Sequence, residues 1–532
     1  MARFLLAAAL CAAASLALAC NPADKPEELQ KGFIVTVDVS GKKVIDAGTV
    51  LDVPADKVEI SIEFTGAVSP EKEGAASCVS FTGGNLLQRQ GSSGNVVVLT
   101  PEGTLSAGTK YQVRINAGPA FGIELLNDFS FSFTTAYDQS DKFPRIADEE
   151  LLTLIQRQTF KYFWDYAHPD CGLARERLGS GNTVACGGSG FGIMTLPVAV
   201  ERGFVTRDEA AARMRTILSF LLDKAERFHG AYSHWIDGST GKAIPFSAND
   251  DGGDLVETAF LVQGLLTAAQ YFDAPAEADI REGVETVWRG VEWDWYTQGR
   301  NVLYWHWSPN KGWAMNMQIT GWNEGLMVYV LAASSPTHPV KPEVYHQGWA
   351  SGGKMRPGTD GPLFFTHYSF MGLDPRGLKD KYADYWAQNV AHARRNYEYC
   401  VSNPKGHAGY SSDSWGLTAC DIPGGYSACA PSNDRGTIAP TAAVSSYPYL
   451  PEESLKAMRH FYYVLGDRLW GEYGFHDAFC LDKPWFADSY IAIDQGPIVV
   501  MIENARSGLL WRLFMSREDI LNGLATLGFT RS

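Results

Sequence analysis

The stretch Phe129-Ser130-Phe131-Ser132-Phe133 alternates apolar and polar residues, and Tyr137-Asp138-Gln139-Ser140-Asp141 ends the alternation. Beyond it, from 148 to 167, the apolar residues recur at helical spacing. The change of period from two to 3.6 divides the chain into an all-β part and an all-α part.

Upstream, Phe33-Ile34-Val35-Thr36-Val37-Asp38-Val39, Val58-Glu59-Ile60-Ser61-Ile62-Glu63-Phe64 and Tyr111-Gln112-Val113-Arg114-Ile115 carry the same alternation. Gly, Pro, Asn and Ser clusters separate these runs, which predicts a β-sandwich over residues 32–136. Leu99-Thr100-Pro101 and Leu105-Ser106-Ala107-Gly108-Thr109-Lys110-Tyr111 resemble bacterial Ig-like modules. This part has no Trp and no His, so it reads as a spacer or packing module rather than a sugar-binding one.

Residues 1–20 read as a lipoprotein signal peptide. Arg3 supplies the positive charge, and Phe4 to Leu18 is apolar but short for a membrane span. Leu16-Ala17-Leu18-Ala19-Cys20 resembles a lipobox, with Leu18 departing from the usual small or β-branched residue. The expectation is an exported chain, lipid-anchored at Cys20 to the bacterial envelope, with residues 21–31 as a polar tether and no other membrane contact. In an oxidising compartment Cys171/Cys186 and Cys420/Cys429 are plausible disulfides.

Downstream, helical patterns occur near 148–167, 206–228, 253–272, 278–293, 321–333, 376–400, 452–468, 497–511 and 516–526. Long Gly- and Trp-rich connections join them, and all 15 Trp lie between Trp164 and Trp511. Many helices with long connections suggest a toroid of paired helices over 145–532, with function in the loops. The formal net charge of −15 argues against a nucleic-acid partner and suits a neutral one.

Hydrolysis of a glycosidic bond needs two carboxyl groups flanking a sugar, one protonated and one ionised. It also needs aromatic faces against the sugar rings. Three segments place acids among Gly and aromatic residues rather than on charged helix faces. In Asn249-Asp250-Asp251-Gly252-Gly253-Asp254-Leu255-Val256-Glu257, Asp254 and Glu257 share a helix face and Asp251 extends it. In Gly321-Trp322-Asn323-Glu324-Gly325-Leu326, Glu324 precedes an apolar helix, where desolvation raises a carboxyl pKa as a general acid requires. In Ile491-Ala492-Ile493-Asp494-Gln495-Gly496-Pro497, Asp494 lies in a nearly uncharged stretch. Each acid also fits a plain helix N-terminus.

Further candidates for sugar contact are His306, Trp307, Trp313, Trp322, His367, Tyr368, Asp413, Trp415 and Trp485, each of which also fits a core position. There is no HExxH and no GxxxxGK[ST], and the His residues lack metal-ligand spacing, so neither metal nor organic cofactor is expected. Gly187-Gly188-Ser189-Gly190-Phe191-Gly192 reads as a tight loop.

From about 147 to 529 these motifs, in order, resemble the glycoamylase family, and more closely its β-1,2-glucanase branch, glycoside hydrolase family 144. The segments that carry the likeness include Gly190-Phe191-Gly192-Ile193, Glu201-Arg202-Gly203, Gly253-Asp254-Leu255-Val256-Glu257-Thr258, Trp322-Asn323-Glu324-Gly325, Gly436-Thr437-Ile438-Ala439-Pro440 and Ile493-Asp494-Gln495-Gly496-Pro497. The resemblance implies an (α/α)6 barrel that hydrolyses β-1,2-glucan or sophoro-oligosaccharides with inversion. It also implies Glu324 as acid and Asp494 as base, with the acids near Asp254 and Glu257 lining the site; Asp251, from the same acidic run, is expected with Asp254 and Glu257 to bind substrate. Two other functions fit the composition. A polysaccharide lyase would use His367 or Tyr368 with Arg376, and a non-catalytic glycan-binding lipoprotein would use the aromatics alone.

Overall fold

The computed structural model describes residues 29–71, 77–350 and 356–531. The signal peptide and lipid anchor expected at residues 1–20, and all of the tether but its last three residues, lie outside the described residues. Two compact units emerge. One takes the chain to Ser106 together with Lys110–Thr135, and the other takes Ala107–Thr109 and Ala136 onward.

The first unit is all β. A five-stranded antiparallel sheet runs, in spatial order, Lys42–Lys43, Ile34–Val39, Ile60–Phe64, Val96–Pro101 and Leu86–Gln90. A second sheet orders Thr49–Val53, Phe129–Thr135, Lys110–Ile115 and Val79–Phe81, its first pair parallel. The alternation read from the sequence is physical. Ile60, Ile62 and Phe64 are buried while Ser61 and Glu63 are not, and Tyr111, Val113 and Ile115 repeat the pattern. Both sheets feed one apolar core, from Val37 and Leu99 to Phe131 and Phe133.

The second unit is helical, with short strand pairs among its loops. Its helices are of two kinds. Cys186–Glu201, Leu255–Tyr271, Leu326–Ser334 and Ala492–Arg506 are buried on nearly every side. Arg207–Asp223, Ala278–Arg289, Pro451–Arg459 and Glu518–Thr526 bury one face and expose the other. A helix apolar all round must be enclosed by others, so the first kind forms an inner layer and the second an outer one. The outer helix at Arg207 begins with a capping box: Thr206 Oγ1 accepts the Glu209 N–H, and the Glu209 carboxylate accepts the Thr206 N–H at 2.8 Å.

Two expectations are corrected. Gly187 to Gly192 is not a loop but the opening of the helix Cys186–Glu201. A Cβ on Gly190 would come within 2.2 Å of the Phe260 carbonyl oxygen, and one on Gly264 within 2.1 Å of the Gly190 carbonyl oxygen. The glycines let two inner helices touch backbone to backbone. Nor are the expected disulfides formed. Cys171 and Cys186 are separate buried thiols, and Cys420 and Cys429 keep their thiols with the sulfurs 4.0 Å apart. A disulfide needs about 2.05 Å between sulfurs.

Candidate active site

The inner helix Leu255–Tyr271 and the turn before Leu326–Ser334 direct acids toward one cavity of about 390 Å³, within the range of a ligand pocket, and the start of Ala492–Arg506 adds Ile493 to its lining. Glu176, Arg177, Trp235, Glu257, Glu324 and Tyr368 are among the residues that line it.

On one side, Asp254 caps its helix. Its Oδ1 accepts the N–H groups of Val256 and Glu257 at 3.0 and 2.9 Å, and its Oδ2 lies 3.0 Å from His234 Nδ1. Glu257, one turn on, accepts the Gly187 N–H at 2.7 Å. Burial raises the Glu257 carboxyl above its ordinary range, the charge of His234 opposes the rise, and Asp254 adds to it. Burial disfavours a charged His234, but the charge of Glu257 and the hydrogen bond to Asp254 outweigh it and push the imidazole up to about 9. His234 is therefore a cation at neutral pH, stacked on Phe246 with ring centroids 4.1 Å apart. Trp235 meets the same Phe246 edge to face at 4.9 Å.

Glu324 sits where the chain turns into Leu326–Ser334. Its carbonyl oxygen accepts Ser369 Oγ at 2.5 Å, and that oxygen in turn accepts the Met327 N–H at 3.0 Å, fixing the turn. Burial, with Glu257 and Asp254 as nearby negative charges, pushes the Glu324 carboxyl up to about 7. It can thus hold a proton near neutral pH while its side chain faces the cavity.

On the other side, Asp494 lies in the first turn of Ala492–Arg506, and its carbonyl oxygen accepts Thr441 Oγ1 at 2.6 Å. The Tyr368 hydroxyl, packed among Phe191, Phe260 and Phe364, is 3.5 Å from Asp494 Oδ1. Asp477 stands within hydrogen-bonding reach of the same carboxyl, and burial and this neighbour lift Asp494 well above the ordinary range. Asp477 accepts the Asp421 N–H at 2.7 Å. Arg177 binds Asp421 at 3.1 Å and Glu176 at 3.0 Å, and Ser489 Oγ donates to Asp421 at 2.6 Å.

Of the residues singled out from sequence, Glu324, Glu257 and Tyr368 line this cavity, and Asp494 stands behind Tyr368. Asp254 is buried as a cap. His306 is buried beside Asp250, its Nε2 2.9 Å from Asp250 Oδ1, and Asp251 accepts Asn310. Trp307 and Trp313 join Trp295 and Tyr296 in an aromatic cluster that does not line the cavity. Trp322 stacks near Phe370 and Tyr385. Trp415 is fully buried, its Nε1 donating to the Glu453 carbonyl, so it is a packing residue. His367, 2% exposed, meets Ser446 at 3.0 Å, and burial lowers it to about 3. Asp413 is at the surface, and Trp485 belongs to a short strand paired with Cys480.

The sequence reading missed Glu176, Arg177, His234, Trp235, Phe246, Phe364 and Tyr426 around the cavity, and Asp421 and Asp477 behind it. Asp477 had a signal: it is a lone acid in Gly474-Phe475-His476-Asp477-Ala478-Phe479, the same context that drew attention to Asp494. Glu176 and Arg177 adjoin Arg175 in sequence and read as an ordinary solvated face. Among the described residues, His234, Asp250 and Asp254 bring possible metal-ligand atoms within 4.8 Å of one another. The helix cap and the His234–Asp254 contact account for Asp254 without an ion.

Comparison with known proteins supplies relatives. The family model named Glycoamylase matches residues 316–518, and a bacterial Ig-like domain model matches residues 34–135. An exo β-1,2-glucooligosaccharide sophorohydrolase (non-reducing end) of Parabacteroides distasonis is 45% identical over 417 residues. That match covers 71% of this chain and 58% of the relative, so the chain spans little more than half the length of that curated protein. The structure of an endo-β-1,2-glucanase from Chitinophaga pinensis, in complex with sophorotriose and glucose, is 49% identical with a TM-score of 0.71. It covers 73% of this chain and 99% of its own. A β-1,2-glucanase structure from Parabacteroides distasonis is 38% identical with a TM-score of 0.70, covering 93% of this chain and 74% of its own.

Proposed function

The chain belongs to the glycoamylase family, alongside the β-1,2-glucanases of glycoside hydrolase family 144, and on that premise we propose that it hydrolyses β-1,2-glucan or sophoro-oligosaccharides with inversion. The observation that carries the reading is Glu324: a carboxyl group pushed up to about 7, facing a sugar-sized cavity that Tyr368 also lines, with Asp494 behind Tyr368. Glu324 donates its proton to the oxygen of the departing sugar. Asp494 takes a proton from the water that attacks the anomeric carbon on the opposite face. A base lifted above the ordinary carboxyl range is stronger than an ordinary carboxylate, which suits that role. Trp235, Phe246 and Phe364 offer flat apolar faces for sugar rings, and Arg177 and His234 offer donors to hydroxyl groups.

The same reading makes the helical unit an (α/α)6 barrel, a proposal supported by its inner, wholly buried helices and outer, one-faced ones. It also keeps the envelope lipoprotein of the sequence reading, tested by fatty-acid labelling of the wild-type chain and of Cys20→Ala. The lyase alternative finds no support: His367 is buried against Ser446, and Arg376 is paired with Asp374 at 2.8 Å.

The deciding experiment measures reducing ends and product anomer on β-1,2-glucan for the parent, Glu324→Gln and Asp494→Asn. Each variant should lose about 10²–10⁴-fold in kcat with thermal unfolding retained. Full activity in either folded variant overturns its role, and no release from any β-1,2-glucan by the parent overturns the substrate.

A further inference from the structure

Trp313 lines a second cavity of about 390 Å³ that shares no lining residue with the one Glu324 faces. Trp295, Glu292, Asp294, Gln298 and His338 line it too. A short strand pair separates the two sites: Asp254 pairs with His306, and Gly253 with Trp307. Successive strand residues face opposite ways, so His306 turns to Asp250 while Trp307 turns to Trp295, ring centroids 6.4 Å apart.

The rings of this cavity are held in place. Trp295 stacks on His229 at 3.7 Å with 16° between the planes, yet stays 40% exposed. His229 is fixed in turn by Glu292, Nδ1 to Oε2 at 3.0 Å. Trp313 lies 6.3 Å from Trp295 and is backed by Tyr296 and Tyr304, each at 5.8 Å. The pair offers fixed, flat apolar surface, which suits the CH face of a sugar ring and loses little freedom on binding.

The polar lining points the same way. Gln298 has a φ of 52°, a left-handed conformation uncommon for a residue with a side chain. The Trp295 carbonyl accepts its N–H at 3.1 Å, and Thr297 Oγ1 accepts the Gly299 N–H at 3.1 Å, which fixes the turn. Backbone of this kind recurs at ligand sites. Gln298 Nε2 is buried and meets no acceptor among the described residues. A ligand oxygen would relieve the cost of that unmet donor.

We propose that this cavity is a second carbohydrate site, which holds a neutral glucan chain with a sugar ring against Trp295 and Trp313 and a hydroxyl oxygen accepting from Gln298 Nε2. Glu292 and Asp294, with side chains 40% and 58% exposed, accept from sugar hydroxyl groups. Two carboxylates, with neither Lys nor Arg in the lining, exclude an anionic polysaccharide. The choice of β-1,2-glucan rests on the proposed hydrolysis. A chain held at this site raises its effective concentration at the catalytic cavity, so the site serves long chains and not short ones.

The test uses the full chain carrying Glu324→Gln, which leaves the polymer intact, in native gels containing β-1,2-glucan or polygalacturonate. Adding Trp295→Ala should weaken retention by β-1,2-glucan about three- to tenfold. Adding Gln298→Gly should weaken it about twofold or more, although glycine suits the left-handed turn better. With Glu324 intact, Trp295→Ala should keep kcat and KM for sophorotriose within about twofold. Unchanged retention in both variants overturns the proposal, as does stronger retention by polygalacturonate. A rise in KM for sophorotriose equal to the loss of retention also overturns it, because the ring would then serve the catalytic cavity. A parent that releases no sugar but shows Trp295-dependent retention supports this site and removes the proposed hydrolysis alone.

Discussion

Glu324 lines the cavity and Asp494 stands behind Tyr368, and both carboxyls are raised, but by different neighbours. At Glu324 burial does most of the work, and Glu257 and Asp254 add their charge. At Asp494 burial is joined by direct contact with a second carboxyl, Asp477. Glu324 is raised as a single acid among like charges. Asp494 is raised as one of two neighbouring carboxyls. The difference teaches that a raised pKa alone does not name a role. An acid raised by enclosure tends to give up its proton when substrate offers a better site, whereas one of a pair can remain ionised because its partner is not.

That contrast can be broken most directly at Glu324. Glu324→Gln should cost about 10²–10⁴-fold in kcat at every pH. A mild Glu324→Gln phenotype would leave the two acids equivalent. The next effect is on pH dependence. A general acid works only while protonated, so activity should decline as pH rises through about 7, where Glu324 loses its proton. Glu257→Gln removes a negative neighbour, lowers the Glu324 pKa and should shift that decline to lower pH. An unmoved basic limb would detach it from Glu324.

The same group gives a stability test with a definite sign. Its folded pKa of about 7 exceeds the ordinary carboxyl value of 4.5, so its contribution is complete below about 4.5 and lost as pH rises through about 7. The melting temperature of Glu324→Gln should therefore gain on the parent across that window, and a constant gap between the two would contradict the shift. Smaller still is the aromatic contrast. Trp235→Ala should raise KM by about three- to tenfold, as loss of an aromatic contact of ~0.5–1.5 kcal/mol implies. Trp313→Ala removes a ring of similar appearance in sequence from a cluster that does not line the cavity, and KM for sophorotriose should stay within about twofold.

The division of the chain into β and helical parts was legible because it depends on period alone. Ile60, Ile62 and Phe64 alternate in burial as they alternate in sequence, and the apolar run from Leu255 to Tyr271 is enclosed as its composition demands. Glu324 and Asp494 could be singled out for a related reason: an acid in an apolar stretch needs a partner or a task wherever it lies. The role of a given aromatic or glycine could not be read that way. Trp415 and Trp235 both lie between Gly-rich segments, yet the first is wholly buried and the second faces the cavity. Gly187 to Gly192 looked like a loop because glycine disfavours helix, but close contact with Leu255–Tyr271 requires a residue without a Cβ. Asp477 and Asp494 lie 17 residues apart in the chain and become neighbours only through folding. Periodicity and solvation are properties of a residue and its near neighbours, so the chain determined them unaided. Which distant surfaces meet, and hence which acids share a cavity, depends on packing among helices far apart in sequence, and the tertiary structure alone decided it.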